Sequence, residues 1–280
     1  MHKTIRDLLT LALEEDGAYN DITTLSTVAQ DQQARARILA CEDGVVAGLS
    51  VAIETFRLFD SRITVDAVVS DGAPVRAGDV LARITGPARS VLSAERVALN
   101  FLGHLSGIAT LTAHCAAALE ETHALVRDTR KTTPGLRRLE KEAVRCGGGQ
   151  NHRFNLSDGV LIKDNHIVTA GGIAQVVTGA RSQAPHSLKV EVECETLDEV
   201  QEALSAGADV ILLDNMDIET MRRAVTVIRA QAPQILIEAS GNIDPNAEQL
   251  VAIAGTGVDF ISLGALTHSA PRFDASLELV

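Results

Sequence analysis

Tryptophan is absent from this 280-residue chain, tyrosine occurs once, and aromatic residues make up 2% of it. Few aromatics mean few platforms on which bases can stack, and the formal net charge is −12. Together these exclude a nucleic-acid binder, which needs a basic face. Cysteine is scarce too. Cys41, Cys115, Cys146 and Cys194 are scattered, with no CxxC pair, so neither a disulfide framework nor a zinc site is expected. No apolar run reaches the roughly 18 residues that a membrane span requires. The N-terminal stretch MHKTIRDLLTLALEEDGAYND carries acidic residues and no small-residue cleavage site, unlike a signal peptide. The cytoplasm is therefore the expected compartment.

What the chain does have is aliphatic. Hydrophobic residues amount to 46%, and with so few aromatics the core must be built from Ala, Val, Leu and Ile. That suits an α/β protein, whose buried parallel strands favour β-branched residues. The length allows one large domain or two modest ones. In residues 4–15, Ile5, Leu8, Leu9 and Ala12 follow the spacing of an amphipathic helix. A loop is expected at DGAYNDITTLST, a strand over 34–40, a helix over 49–60, a strand at ITVDAVV and a turn at Asp71-Gly72. PVRAGDVLARITG is similar to part of a biotinyl or lipoyl carrier but lacks the attachment lysine, so it reads as a small β-rich module. Residues 88–121 read as two helices broken near Ser106-Gly107. Arg96, Asn100 and His104 fall on one face of the first, either a wet face or a site or subunit contact.

From Ala124 onward strands and helices alternate. Strands are expected at 124–128, 159–163, 188–193, 209–213, 235–239 and 259–263, with helices near 135–146, 172–183, 197–206, 218–231 and 246–255. Thr133-Pro134 and Asp244-Pro245 resemble helix starts, Thr196 with Glu199 a capping box, and Gly207 and Gly257 helix stops. Repeated strand–helix units demand a parallel sheet with right-handed crossovers. Polar residues follow the C-terminal end of every strand, whereas an open doubly wound sheet equips only its switch point. Six polar strand ends point to one common mouth, that of an irregular (β/α) barrel with six units.

The concentration of basic residues falls at this mouth. Between Arg127 and His166 nine Arg or Lys face five Asp or Glu, a formal +4 that leaves −16 to the rest of the chain. Such a patch in an acidic protein is a pocket for small anions. Arg130, Lys131, His152, Arg153 and Lys163 form its basic side, suited to carboxylates or phosphates. Glu193 and Asp214 face them, as ligands for Mg²⁺ shared with a substrate phosphate or as stabilisers of positive charge on a substrate. Salt bridges among these groups are the plain alternative. The glycine-rich GGGQNH at 147–152 offers backbone N–H groups to an anion, or simply ends a helix. Lys163 also stands where Schiff-base aldolases keep a nucleophile, a second reading as a lyase or aldolase.

Several long segments carry a resemblance. DTRKTTPGLRRLEKEAVRCGGGQNHRFNLSDGVLIKDNHI, SAERVALNFLGHLSGIAT, KVEVECETLDEV, ADVILLDN, IEASGNI and VDFISLGALTHS resemble the quinolinate phosphoribosyltransferases over nearly the whole chain. The resemblance implies the conversion of quinolinate and phosphoribosyl pyrophosphate, with Mg²⁺, to nicotinate mononucleotide, CO₂ and pyrophosphate in NAD biosynthesis. It implies an N-terminal α/β sandwich (residues 1–107, joined by the tail 268–280) and an irregular α/β barrel (108–267), in homodimers or hexamers of dimers. The family's quinolinate-binding positions fall on Arg130, Lys131, His152, Arg153 and Lys163, beside Thr129. Arg96 matches an arginine supplied by a neighbouring subunit. Glu193 and Asp214 match the acidic pair around ribose and metal, and Lys163 joins them as a catalytic position. Ser240, Gly241, Asn242 and the Leu263-Gly264-Ala265 turn match the phosphate-binding backbone, although the family often has glycine where Asn242 stands. A homologue of the same fold encoded with molybdate transporters is the nearest alternative; the intact RKT, NHR and LIKDNH segments favour the quinolinate enzyme.

Overall fold

Alternating burial in residues 33–40 builds the first sheet. The computed structural model describes residues 3–280, and the chain divides into two compact units. The first comprises residues up to Ala113, Thr133–Gly148 and Ala270–Val280; the second comprises His114–Thr132 and Gly149–Ser269. The first unit thus reaches past residue 107 to Ala113 and takes in the segment 133–148.

In the first unit, β1 (Gln33–Ala40) exposes and buries alternate residues, the period-2 pattern of a half-covered strand. The other strands here are β2 (Gly44–Val45), β3 (Thr64–Ala67), β4 (Pro74–Val75) and β5 (Val80–Pro87). The helices are α1 (Lys3–Glu15), α2 (Ile22–Thr27), α3 (Leu49–Phe59), α4 (Ala88–Ala118) and α5 (Arg137–Cys146). Leu13, Ile38, Phe56, Leu81 and Leu102 lie in its core together with Phe273, an interior that is mostly aliphatic. Two expectations fail here. Residues 22–27 are a helix, not a loop, because Asp21 accepts a hydrogen bond from the Thr24 N–H and caps it. α4 runs unbroken past Gly107. That glycine serves close packing: a Cβ there would lie 1.9 Å from the Pro271 carbonyl oxygen.

The second unit holds β6 (Leu125–Arg127), β7 (Val160–Ile162), β8 (Val190–Cys194), β9 (Val210–Asp214), β10 (Leu236–Ser240) and β11 (Phe260–Ser262). Their sheet order is β6-β11-β10-β9-β8-β7, and their pairings are parallel. The first strand pairs with the last, and the others follow in chain order. A doubly wound sheet would reverse direction at a switch point, so this is the expected six-unit irregular barrel. Among the described residues β6 and β7 are not paired with each other, and an isolated parallel bridge joins Arg127 to Gln150. The helices are α6 (Asp164–Ala170), α7 (Ile173–Gln183), α8 (Leu197–Ala206), α9 (Ile218–Gln231), α10 (Ala247–Ala254) and α11 (Ala265–His268). Thr196 and Glu199 form the expected capping box, and Gly207 ends α8 at φ 81°. Two caps fall elsewhere than expected. Leu136, not Thr133, precedes α5, and it makes no side-chain cap. Asn246, one residue beyond Pro245, caps α10. β12 (Ala275–Leu279) pairs antiparallel with β1, so the C-terminal tail completes the first unit's sheet. Among the described residues no helix is long and apolar enough to cross a membrane.

Candidate active site

Side chains alternate along a strand, so residues two apart share a face. Leu161 and Lys163, Leu212 and Asp214, Glu238 and Ser240, and Ser262 and Gly264 all line one cavity of about 740 Å³ in the second unit. That volume is within the ~300–1,000 Å³ of small-molecule sites. The cavity also takes in Thr129, Arg130, Lys131, His152, Arg153, Glu193, Gly241, Asn242 and Ala265. Thirteen of the fifteen residues singled out from sequence therefore meet in one place. Leu263 does not line it: the side chain is fully buried, and its backbone N–H donates to the Arg127 carbonyl. Arg96 lies on α4 in the first unit, with 64% of its side chain exposed.

The basic side is held by local hydrogen bonds. After β6, fully buried Asp128 accepts from the Asn151 side chain at 2.6 Å and the His152 N–H at 2.8 Å. Gln150 donates its N–H to the Val126 carbonyl and accepts the Asp128 N–H. The glycine-rich turn thereby delivers His152 and Arg153 beside the strand end. The turn at 129–132 is fixed by Thr129, whose hydroxyl accepts the Lys131 N–H, and by Thr267, which donates to the Lys131 carbonyl. Arg153 Nη1 donates to the Gly159 carbonyl at 2.9 Å, while its Nε is buried without a hydrogen bond. Burial lowers the Arg153 pKa, and the nearby Arg130 charge adds to this against the opposing pull of Glu191. Two neighbouring guanidiniums lining one cavity invite an anion.

Opposite stand Glu193 and Asp214, on neighbouring strands. Burial raises the Glu193 pKa; Lys163, whose Nζ pairs with Glu193 Oε2, opposes this, and the charges of Asp214 and Asp164 reinforce it. One carboxylate is paired with the ammonium and the second adds its charge beside it, and the surplus negative charge suits a hard cation. Next to them the backbone enters the left-handed region at Asn215 (φ 53°), Gly241 (φ 91°) and Asn242 (φ 45°). A Cβ on Gly241 would come 2.4 Å from Asn215 Oδ1, so glycine is required there. Asn242 donates to Asn215, which donates to Asp214. Non-glycine residues in this backbone region are a mark of functional turns.

Beneath this rim lies a layer not picked out from sequence. Glu238 is fully buried and accepts from Arg127 Nη1 at 3.0 Å and from the Ser262 hydroxyl. Arg127 in turn rests 3.2 Å over the Phe260 ring. His152 Nε2 stands 3.2 Å from Glu191 and 3.5 Å from Glu238. Burial works against the charged imidazole, but the hydrogen bond to Glu191 and the charges of Glu238 and Glu191 outweigh it, so the pKa is raised. The Arg153 N–H donates to His152 Nδ1 at 2.7 Å. The neutral ring therefore carries its proton on Nε2, and the charged form requires giving up that bond. His152, Glu191 and Glu238 bring potential ligand atoms within 4.8 Å, and a metal there would have to displace the Nε2 proton. The signal in the sequence was a glutamate inside each of two apolar strands, which is costly to bury unless paired.

Comparison with known proteins identifies the family. Residues 21–106 match the model of the quinolinate phosphoribosyl transferase N-terminal domain, and residues 108–278 match that of the C-terminal domain. A probable nicotinate-nucleotide pyrophosphorylase (carboxylating) of Bacillus subtilis is 44% identical over 278 residues, covering 99% of this chain and 94% of the relative. The nicotinate-nucleotide pyrophosphorylase (carboxylating) of Mycobacterium leprae is 41% identical, covering 98% and 96%. Among solved structures, the nicotinate-nucleotide pyrophosphorylase of Francisella tularensis superposes with a TM-score of 0.93 at 41% identity, covering 99% and 96%. With both domain models matched in order along the chain, the protein belongs to the quinolinate phosphoribosyl transferase family.

Proposed function

We propose that this protein converts quinolinate and phosphoribosyl pyrophosphate to nicotinate mononucleotide, CO₂ and pyrophosphate, in NAD biosynthesis. The observation that carries the reading is one cavity with Arg130, Lys131, His152, Arg153 and Lys163 on one side and Glu193 and Asp214 on the other. A dicarboxylate and a polyphosphate leave water only where each charge is paired. The cationic side grips the two carboxylates and orients the pyridine nitrogen. Ser240, Gly241, Asn242, Gly264 and Ala265 bring backbone close to the phosphates.

Glu193 and Asp214 are the residues that would hold Mg²⁺, and their oxygen donors fit it. When bound, that ion neutralises charge on the pyrophosphate as it departs. As the C–O bond to pyrophosphate breaks, positive charge develops on the ribose carbon, and the two carboxylates stabilise it electrostatically. The pyridine nitrogen attacks that carbon. In the resulting ring cation the adjacent carboxylate leaves as CO₂, since the electron pair left behind is stabilised beside N⁺; a proton then replaces it. Lys163 acts by charge and orientation. Its ammonium is paired with Glu193 and its side chain is 46% exposed, unlike the desolvated lysine of a Schiff-base enzyme.

Arg96, exposed on α4, is assigned to the site of a second copy in a homodimer, which can assemble further to a hexamer. Four free cysteines support a reducing, cytoplasmic compartment. The test is direct: purified protein with quinolinate, phosphoribosyl pyrophosphate and Mg²⁺ should yield nicotinate mononucleotide. Acceptance of nicotinate in place of quinolinate would refute the assignment. Mixing inactive Arg96→Ala and Lys163→Ala subunits should restore part of the activity, and no recovery would put Arg96 in its own chain's site.

A further inference from the structure

Glu191 belongs to no part of the reaction just described, yet it is 8% exposed on β8, which is paired on both sides, by β7 and β9. One of its oxygens, Oε1, is buried without a hydrogen bond, and the other meets His152 Nε2 at 3.2 Å. Its charge also acts on Arg153, favouring the charged guanidinium, and on Glu238, opposing a second buried carboxylate. On stability grounds this is a poor residue. Truncating one member of a buried pair is ordinarily costly, but here it also relieves the like charge on Glu238 and leaves Glu238 Oε1 3.5 Å from His152 Nε2 as an alternative acceptor. Its Cα partners on the flanking strands are Leu161 and Val210, so an apolar neighbourhood is already present. Unsatisfied buried groups in native proteins are concentrated where function requires them.

We propose that Glu191 is a positioning residue for the dicarboxylate half of the site, holding the His152 imidazole by Nε2 while the Arg153 N–H holds Nδ1. With both nitrogens engaged, the ring has one tautomer and one plane, and the backbone of Arg153 is tied to it. Glu238 provides the fixed base of this arrangement, because Arg127 and Ser262 already restrain it. Glu191 is the adaptable member. The inference rests on the quinolinate reading of the cavity.

The experiment uses the full-length protein with Glu191→Leu and Glu191→Gln, measuring thermal melting and the KM of each substrate. Glu191→Leu should melt at or above the wild-type temperature. Its KM for quinolinate should rise about 10- to 100-fold, the range seen where an outer partner orients a ligating histidine, with the KM for phosphoribosyl pyrophosphate unchanged. Glu191→Gln keeps an acceptor for the Nε2 proton and should recover most of the quinolinate affinity. A Glu191→Leu protein that is unfolded or melts lower would make the carboxylate structural and overturn the proposal. So would an unchanged quinolinate KM, equal movement of both constants, or a Gln variant as impaired as the Leu variant. Failure of the wild-type protein to bind quinolinate in calorimetry would instead refute the function reading itself.

Discussion

A single methyl group at Gly264 separates the site's geometry from the fold's stability. Gly264 has φ −62° and ψ −32°, a conformation that alanine adopts freely, and alanine there restricts the unfolded chain. The backbone is therefore unstrained by Gly264→Ala. The added Cβ would lie 3.0 Å from Lys131 Cδ and 3.1 Å from His268 Nε2, inside ordinary contact distance but against the far parts of flexible side chains. These can yield, so stability should change by no more than about 0.5–1 kcal/mol. Yielding moves Lys131 and fills space at the cavity wall. A methyl of mismatch in a fitted pocket is worth about 1–3 kcal/mol, or roughly 10–200-fold in kcat/KM. Gly241→Ala is the contrasting case. At φ 91° and 2.4 Å from Asn215 Oδ1, it should lose about 1–3 kcal/mol of stability as well as activity. Thermal melts and nicotinate mononucleotide formation on both variants decide the matter. A Gly264→Ala protein with wild-type kcat/KM, or one destabilised as much as Gly241→Ala, would refute the reasoning.

Arg153→Ala should raise the quinolinate KM by roughly two orders of magnitude, since truncating one partner of a desolvated charge contact costs about 2–5 kcal/mol; an unchanged KM would remove Arg153 from the grip. Gly107→Ala places a Cβ 1.9 Å from the Pro271 carbonyl oxygen and should cost about 1–3 kcal/mol through overpacking, read as a lower Tm. Asp60 has a lowered pKa, chiefly through hydrogen bonding to Arg62, with burial opposing and Ser90 assisting. A lowered carboxylate adds stability above its unfolded value near 3.8 and loses it as pH falls through the folded value. The Tm difference between wild type and Asp60→Asn should therefore be greatest near neutral pH and shrink in acid. A constant difference would show that charge is irrelevant there. Burial pushes the thiols of Cys115 and Cys146 up to about 11, and Cys194 is raised and buried as well. A thiol reagent at mild pH should modify exposed Cys41 rapidly and the other three slowly; fast reaction of a second thiol would contradict the packing.

Much of the barrel could be read from the chain because its signals are local. Each strand is a short aliphatic run, and each ends in residues too polar to bury. Lys163, Glu193 and Asp214 were found that way. Glu191 and Glu238 were not, although they share faces with Glu193 and Ser240, because a glutamate within a strand resembles surface alternation until both faces are known to be covered. Gly107 misled for a related reason. A glycine in a helix weakens it locally, and only the approach of the Pro271 carbonyl, 164 positions further along the chain, shows what it is for. The helix at 22–27 rests on one side-chain cap at Asp21, a signal that TTLST masks with its β-branched residues. Arg96 could be matched by resemblance alone, and its side chain is largely exposed on α4, away from the cavity's lining.

Decarboxylation that follows ring quaternisation in this cavity can be tested directly by one isotopic measurement. Quinolinate labelled with ¹³C in the carboxylate beside the ring nitrogen would be incubated with the protein and Mg²⁺, with and without phosphoribosyl pyrophosphate. One labelled CO₂ and one pyrophosphate should appear for each nicotinate mononucleotide, and no labelled CO₂ when phosphoribosyl pyrophosphate is withheld. Labelled CO₂ released without it, or a nucleotide that retains the label, would contradict the account.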